Sequence, residues 1–431
     1  MARIAVFAGL GSESLFSDTT LRRAAQDGSL PESQVLLRCC HSIFRTQVAA
    51  AVRRKQLPSG SIDLDDFQRP DDLLKPHHKY RPNATIQHAT IFLVQILRYL
   101  GSRSNTPAGR LCGAAGFCVG LFPAATILTA GPSDDNVEFL QRALDFFHIT
   151  LWLGIHCETF RLEQLTQYGC RQDLPWSIVV DNAPPAISEA FDRSQDLQDS
   201  IYVSAKSATS CFTLSGRGDE LEKYISQGLE PQCRTRATPV FTLYHHERSL
   251  QTVFNQTMES LERELLSRLS TPVRLSAPLF STVQGAPDIT GEMSLRQLVI
   301  LILEMILQKP VDWVWTQNAV LAEVQRQAGG EAGGEDGSGS DPFEVLNYGP
   351  GYGVSRSAVT VPSPVQIRDM SAAGSHSKID SHASSSILPD DVAIVGMSVD
   401  LPDASNTDEL WDNLVNGRNA VSEVSLIEES P

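Results

Sequence analysis

The sequence carries eight cysteines, at 39, 40, 112, 118, 157, 170, 211 and 233, yet has no C-x-x-C pair at metal-ligand spacing. That absence argues against a bound metal, and the low cysteine density argues against a disulfide scaffold, so a reduced, intracellular protein without metal is expected. Long apolar runs are missing as well. The most apolar helical stretch, Leu298 to Leu307, is interrupted by Glu304 and is too short to span a bilayer. Met1 to Leu10 reads as a first strand and turn rather than a leader peptide. Positive charge is scarce: 35 Lys and Arg face 51 Asp and Glu, a net charge of −16. A basic face for nucleic acid or an anionic membrane is therefore not expected, and only Arg53-Arg54-Lys55 and Arg234 to Arg248 form local basic clusters. A soluble, cytoplasmic protein follows, with neither nucleic acid nor membrane as partner.

What is present is an apolar fraction of 42% in 431 residues, enough for one large α/β domain with additions. Short apolar strands alternate with amphipathic helices to about residue 320, the pattern of a mainly parallel sheet. One stretch has its own rhythm. Trp176 to Val180 reads as a strand, Pro184 to Phe191 as a helix, and Ile201 to Ala205 with Cys211 to Leu214 as a strand pair. Asp219 to Gln227 follows as a helix and Thr235 to Phe241 as a strand. This β-α-β-β-α-β order predicts a ferredoxin-like insertion over about 175–241. The Gly-, Glu- and Ser-rich run from Gly329 to Asp341 reads as a surface loop, because Phe343 to Leu346 regains strand character. The expected domains are 1–365, a flexible linker over 366–389, and a separate start at 390–431 that is too short for a core of its own.

The chemistry centres on Gly116-Phe117-Cys118-Val119-Gly120, where the apolar strand Leu111 to Gly116 meets an apolar helical stretch beginning at Val119. Glycines flanking a sharp strand-to-helix turn relieve crowding, so that the central side chain projects into a cleft. The helix end offers unsatisfied N–H groups that lower a thiol pKa and bind an oxyanion. Such a cysteine is a nucleophile in search of a base, the competing reading being a small residue packed in a tight turn. Of ten histidines, His376 and His382 fall in the linker and His77-His78 in a charged loop. His41, His88, His148 and His156 sit on helix-like stretches as structural residues, which leaves His245 and His246, after the apolar strand Pro239 to Leu243.

In this combination the chain resembles the starter-unit acyl-carrier-protein transacylase domain at the N-terminus of fungal non-reducing polyketide synthases, a cousin of the malonyl-carrier-protein transacylases. The resemblance covers about residues 1–365 and rests on the Gly-x-Cys-x-Gly elbow, Tyr244-His245, Lys309-Pro310-Val311-Asp312-Trp313 and Asn347-Tyr348-Gly349-Pro350-Gly351, in that order. Val392 to Val421 is similar to the opening of a β-ketoacyl synthase. The resemblance implies a malonyl-transacylase-like fold, an α/β-hydrolase-like core with the ferredoxin-like insertion. It implies Cys118 as nucleophile, His245 as base with His246 as the alternative, and the backbone N–H groups of Leu10 and Val119 as oxyanion hole. A backbone carbonyl near Ile306 to Gln308 would orient the histidine, in place of a triad aspartate. Gly116, Gly120, Tyr244 and Leu153 are expected at the substrate site; Leu153 stands where malonyl-specific relatives carry an arginine, which implies a neutral acyl cargo.

The implied partners are an acyl carrier protein, whose phosphopantetheine is its own, and a donor that is either acyl-CoA or the carrier protein of an upstream reducing polyketide synthase. No cofactor is expected in the domain itself. Arg234, Arg236 and Arg248 are candidates for carrier docking. A thioesterase or cysteine hydrolase with the same dyad, and a catalytically silent docking domain, are the competing readings.

Overall fold

The computed structural model describes residues 2–11, 13–103, 110–130, 136–193, 196–197, 200–229, 233–330, 343–350 and 365–370. The chain divides into a unit Met1–Gly374 and a unit Ser375–Pro431. The second unit, and with it the expected synthase opening and nearly all of the expected linker, lies outside the described residues, as does most of the Gly-rich loop.

In chain order the elements are β1 (Ala2–Phe7), α1 (Asp18–Asp27), α2 (Pro31–Arg53), α3 (Ala84–Arg103), β2 (Arg110–Gly116), α4 (Leu121–Thr129) and α5 (Asn136–Tyr168). Then come β3 (Ser177–Asp181), α6 (Pro185–Asp192), β4 (Tyr202–Ala208), β5 (Cys211–Ser215), α7 (Gly218–Gly228) and β6 (Arg234–Ala237). The remainder is α8 (Glu247–Leu269), β7 (Pro272–Arg274), β8 (Glu292–Ser294), α9 (Leu295–Leu307), β9 (Val311–Asp312), α10 (Trp313–Gly330), β10 (Phe343–Asn347) and β11 (Val365–Asp369).

The core sheet is parallel, in the order β11-β10-β1-β2. Successive side chains of β1 point to opposite faces, and both faces are covered. Ile4 and Val6 join Trp313, Val324 and Phe343 in one apolar cluster, while Ala5 and Phe7 join the large helical cluster on the other side. Helix α3 is buried along nearly its whole length, much of it against α5, with Gln87, His88, Gln95 and Arg98 among its buried residues. The two helices approach closely at Gly154, where a Cβ would lie 3.0 Å from the Thr85 Cα. β11 pairs with β10 as far as Asp369, so the sheet extends into the segment expected to begin the linker at 366.

The insertion forms an antiparallel sheet in the order β6-β3-β5-β4 with α6 and α7, as the β-α-β-β-α-β rhythm predicts. Two features differ from expectation. Its last strand ends at Ala237, and Pro239 to Leu243 is not a strand. Proline lacks the N–H that a ladder needs, and the Val240 N–H turns back to the Thr238 carbonyl at 2.8 Å. The sheet also gains a fifth strand from outside the insertion, β9, parallel to β4 with Ala205 opposite Val311.

Candidate active site

Strand β2 ends at Gly116 and a 3-10 turn, Cys118–Gly120, leads into α4. Cys118 is left-handed, with φ 52°. Such a bend needs backbone to pack directly on backbone. A Cβ on Gly116 would lie 2.3 Å from the Gly120 carbonyl, and one on Gly120 would lie 2.6 Å from the Phe7 carbonyl oxygen. Gly116 and Gly120, expected at the substrate site, therefore serve the elbow by having no side chain. Gly9 brings the turn after β1 against the same place, since its Cβ would meet the Cys118 Cβ at 3.0 Å. Leu10, next on that turn, is half-buried. The turn is buttressed by the Asn347-Tyr348-Gly349-Pro350 segment: the Tyr348 ring stacks on Phe7 at 5.2 Å, and the Gly349 carbonyl accepts from the Ala8 N–H and from Gln95.

The thiol environment corrects one expectation. The Val119 N–H does favour the thiolate of Cys118, but burial outweighs it and pushes the thiol up to about 12. The resting Cys118 is thus a neutral thiol, 4% exposed, which would need a base to take its proton before it could attack.

His245 is also left-handed, with φ 63°, and buried. Its backbone N–H donates to the Ile306 carbonyl at 3.0 Å. Its Nδ1 lies 3.0 Å from the carbonyls of both Met305 and Lys309. These flank the range 306–308 in which the orienting carbonyl was expected: the chain leaves α9 there and its loose end presents two acceptors. Because both partners are acceptors, Nδ1 carries the proton and Nε2 keeps its lone pair. Burial holds the ring neutral, lowering its pKa to about 4. His246 differs on every count. Its Nδ1 is 2.7 Å from the Ser249 hydroxyl, its Nε2 is 3.1 Å from Asp196, and its ring stacks on Tyr202 at 4.2 Å.

Tyr244 closes the same region. It is buried; its hydroxyl donates to His88 Nε2 at 2.8 Å and its carbonyl accepts from the Tyr202 hydroxyl at 2.6 Å. Tyr244, Tyr202 and Cys157 each lie within electrostatic reach of Cys118. Leu153 is fully buried, in the apolar cluster that also contains Cys118, Val119 and Tyr244. His88 is a structural histidine on a helix, as expected, but its contact with Tyr244, and those of Cys157 and Tyr202, escaped the sequence reading, since only the tertiary fold brings these three separate elements to Tyr244. Lys309 to Trp313 supplies the Lys309 carbonyl, strand β9 and the Trp313 ring, 5.6 Å from Phe117. Among the described residues, no cluster of three or more His, Cys, Asp or Glu is arranged to hold a metal, and no helix is long and apolar enough to cross a membrane.

A parallel sheet with a cysteine elbow at the end of one strand, and a ferredoxin-like insertion before a carbonyl-anchored histidine, defines an α/β acyltransferase fold. Solved structures agree. The malonyl-CoA:acyl carrier protein transacylase of Helicobacter pylori superposes with a TM-score of 0.56 at 13% identity, covering 86% of this chain and 94% of that one. A loading acyltransferase of the avermectin polyketide synthase gives 0.54 at 16% identity, covering 85% and 93%. The chain belongs to the family described as "Starter unit:ACP transacylase in aflatoxin biosynthesis", which it matches over residues 6–245, and it matches the N-terminal domain of β-ketoacyl synthases over 389–430. This is the arrangement of fungal non-reducing polyketide synthases. Orsellinic acid synthase of Beauveria bassiana is 38% identical over 97% of the chain, and non-reducing polyketide synthase PKS12 of Gibberella zeae is 23% identical over 91%. The chain spans 18% of the length of each.

Proposed function

We propose that this chain primes a polyketide synthase by moving a neutral acyl starter unit from a thioester, through Cys118, to the phosphopantetheine thiol of an acyl carrier protein. His245 Nε2 takes the Cys118 proton as the sulfur attacks the thioester carbonyl carbon. The carbonyl oxygen, now anionic, accepts from the backbone N–H groups of Leu10 and Val119. Collapse breaks the carbon–sulfur bond to the leaving thiol, which receives the proton from His245. The second half runs the same steps with the carrier's thiol as nucleophile, regenerating free Cys118. Tyr244 and Leu153 bound the acyl group, and the apolar setting of Leu153 suits an uncharged chain.

One observation carries the reading: a left-handed cysteine with an N–H directed at its sulfur shares a fold with a neutral histidine whose Nδ1 is committed to two carbonyls. The donor is acyl-CoA or the carrier protein of an upstream synthase; neither the chemistry nor the proposal requires a metal or a resident cofactor. Intact-mass measurement after exposure to acetyl-CoA, then to a phosphopantetheinylated carrier protein, tests it. Expected are one acyl adduct on the chain, none on Cys118→Ala, a weaker or absent adduct from malonyl-CoA, and passage of the acyl group to the carrier. An adduct that survives Cys118→Ala sinks the assignment, and turnover that is as fast without carrier protein identifies a hydrolase instead.

A further inference from the structure

On a chain with 35 basic and 51 acidic residues, one cleft is lined by Arg22, Lys75, His78 and Arg81 and by no carboxylate. It has a volume of about 430 Å³ and lies between α1 and the segment that leads into α3. Its apolar part is made by Phe16, Leu21, Ala25 and Pro76, all half-buried, while the four basic side chains are exposed. Among the described residues none of the four forms an ion pair. The contrast with the larger cleft beneath α2 is direct. There, about 830 Å³ is lined by Arg53, Lys79 and Arg161 but also by the carboxylates of Asp63 and Glu158, and Lys79 is paired with Asp66 and Arg161 with Glu158. Three uncompensated cations, Arg22, Lys75 and Arg81, repel one another, and an anion brought to them relieves that repulsion while His78 offers a ring N–H beside them.

The cleft is tied to the reactive cysteine by a short series of contacts. Gln87 Nε2 donates to the Arg81 carbonyl at 2.6 Å and to the Pro239 carbonyl at 2.8 Å. Val240, next to Pro239, lies 3.3 Å from where a Cβ on Gly11 would stand, and Gly9 of the same turn abuts Cys118. Phe16 and Leu21 lie on the chain that continues from this turn.

The geometry points to this cleft as the docking surface for the acyl carrier protein, an inference that rests on the proposed transfer reaction. The phosphodiester that joins pantetheine to its serine sits among Arg22, Lys75, His78 and Arg81, and apolar side chains of the carrier around that serine meet Phe16, Leu21 and Pro76. The thiol arm then runs past the turn after β1 toward Cys118. This surface is distinct from Arg234, Arg236 and Arg248, of which Arg234 faces Asp181 across strands β3 and β6.

The test is a titration of the 431-residue chain with a polyketide acyl carrier protein in its phosphopantetheinylated and serine forms, read by fluorescence anisotropy of the labelled carrier. The phosphopantetheinylated form binds more tightly, and added salt weakens it. Arg22→Glu with Lys75→Glu weakens binding about tenfold or more and removes most of the salt dependence. Arg22→Gln with Lys75→Gln gives an intermediate loss, and Lys223→Glu with Arg274→Glu, the same charge change at exposed positions on α7 and β7, gives none. In the transfer assay the double charge reversal raises KM for the carrier with kcat retained, while loading of Cys118 from acetyl-pantetheine, which carries no phosphate, keeps its rate. Equal affinity of the double variant and the native chain overturns the docking inference and leaves the reaction standing. Slower loading from acetyl-CoA with unchanged carrier affinity also overturns it, assigning the cleft to the nucleotide phosphates of the donor. Carrier binding that responds as described, without any acyl-Cys118, would instead remove the proposed reaction and keep the surface.

Discussion

Cys118 and His245 share a backbone conformation that side chains rarely adopt, at φ 52° and 63°. Among the described residues only Lys55 and Asn182 join them as non-glycine residues with positive φ. Conformations of this kind persist where surrounding structure over-determines them, and here the surroundings are three tight glycines on one side and two α9-end carbonyls on the other.

The first prediction concerns the base. His245→Gln is expected to lower the rate of Cys118 acylation by roughly 10²–10⁴-fold, the usual worth of general-base assistance. His246→Gln, whose ring is occupied with Ser249 and Asp196, is expected to leave it within about threefold. Stopped acylation followed by mass spectrometry reads both; the reverse order of effects would transfer the role to His246.

The elbow should be intolerant of a single methyl group. In Gly116→Ala the new carbon meets backbone atoms of Gly120 and Leu121 at 2.3 Å, with no flexible side chain to move aside. A loss above about 4 kcal/mol, among the largest seen for point substitutions, is expected in urea unfolding. Gly60→Ala makes a useful comparison, since its positive φ of 83° brings backbone strain but its Cβ meets nothing within 4 Å.

Tyr244→Phe removes the donor to His88 and leaves His88 Nε2 buried without a partner. A destabilisation of about 1–3 kcal/mol is expected. Tyr202→Phe frees the Tyr244 carbonyl in the same region, so the double variant should cost less than the sum of the two. Urea midpoints of the four proteins in the cycle settle this, and strict additivity would mean that the two hydroxyls act independently.

Acid should destabilise the protein earlier than carboxylate titration alone would. Burial lowers the pKa of His88 to about 3 and of His148, His156 and His245 to about 4. Between pH 6.5 and about 4 the unfolded chain binds these protons and the folded chain does not. Stability is therefore complete above pH 6.5 and lost as pH falls, by up to about 1.4 kcal/mol per histidine per pH unit. Thermal midpoints measured from pH 8 to pH 4.5 should fall steadily below 6.5; a flat profile would show that the four rings reach water.

Much of this was legible in the sequence because it depends on local chemistry. Glycines at 116 and 120, a run of small apolar residues before them and an apolar helix after them dictate strand, bend and helix without help from distant residues. The insertion was legible because its elements follow one another in chain order. Residues joined only by the fold were not: His88 looked like one more histidine on a helix, and nothing in its neighbours says that Tyr244 lies against it. The strand expected at Pro239 to Leu243 failed for a related reason, since its apolar residues are apolar to fill the core rather than to alternate across a sheet. The thiol pKa went the other way from expectation because a helix terminus acts over one turn, whereas burial depends on the whole protein.

Strand β9 bears on how such domains can be recombined. Its residues extend the sheet of the insertion, while the carbonyl of Lys309, two positions earlier, anchors the His245 imidazole. A chimera that exchanged only 175–241 would pair a foreign β4 with the native β9 and shift the carbonyl on which the imidazole rests. Crossover points placed before Trp176 and after Trp313 would carry the strand, the histidine and its anchor as one piece.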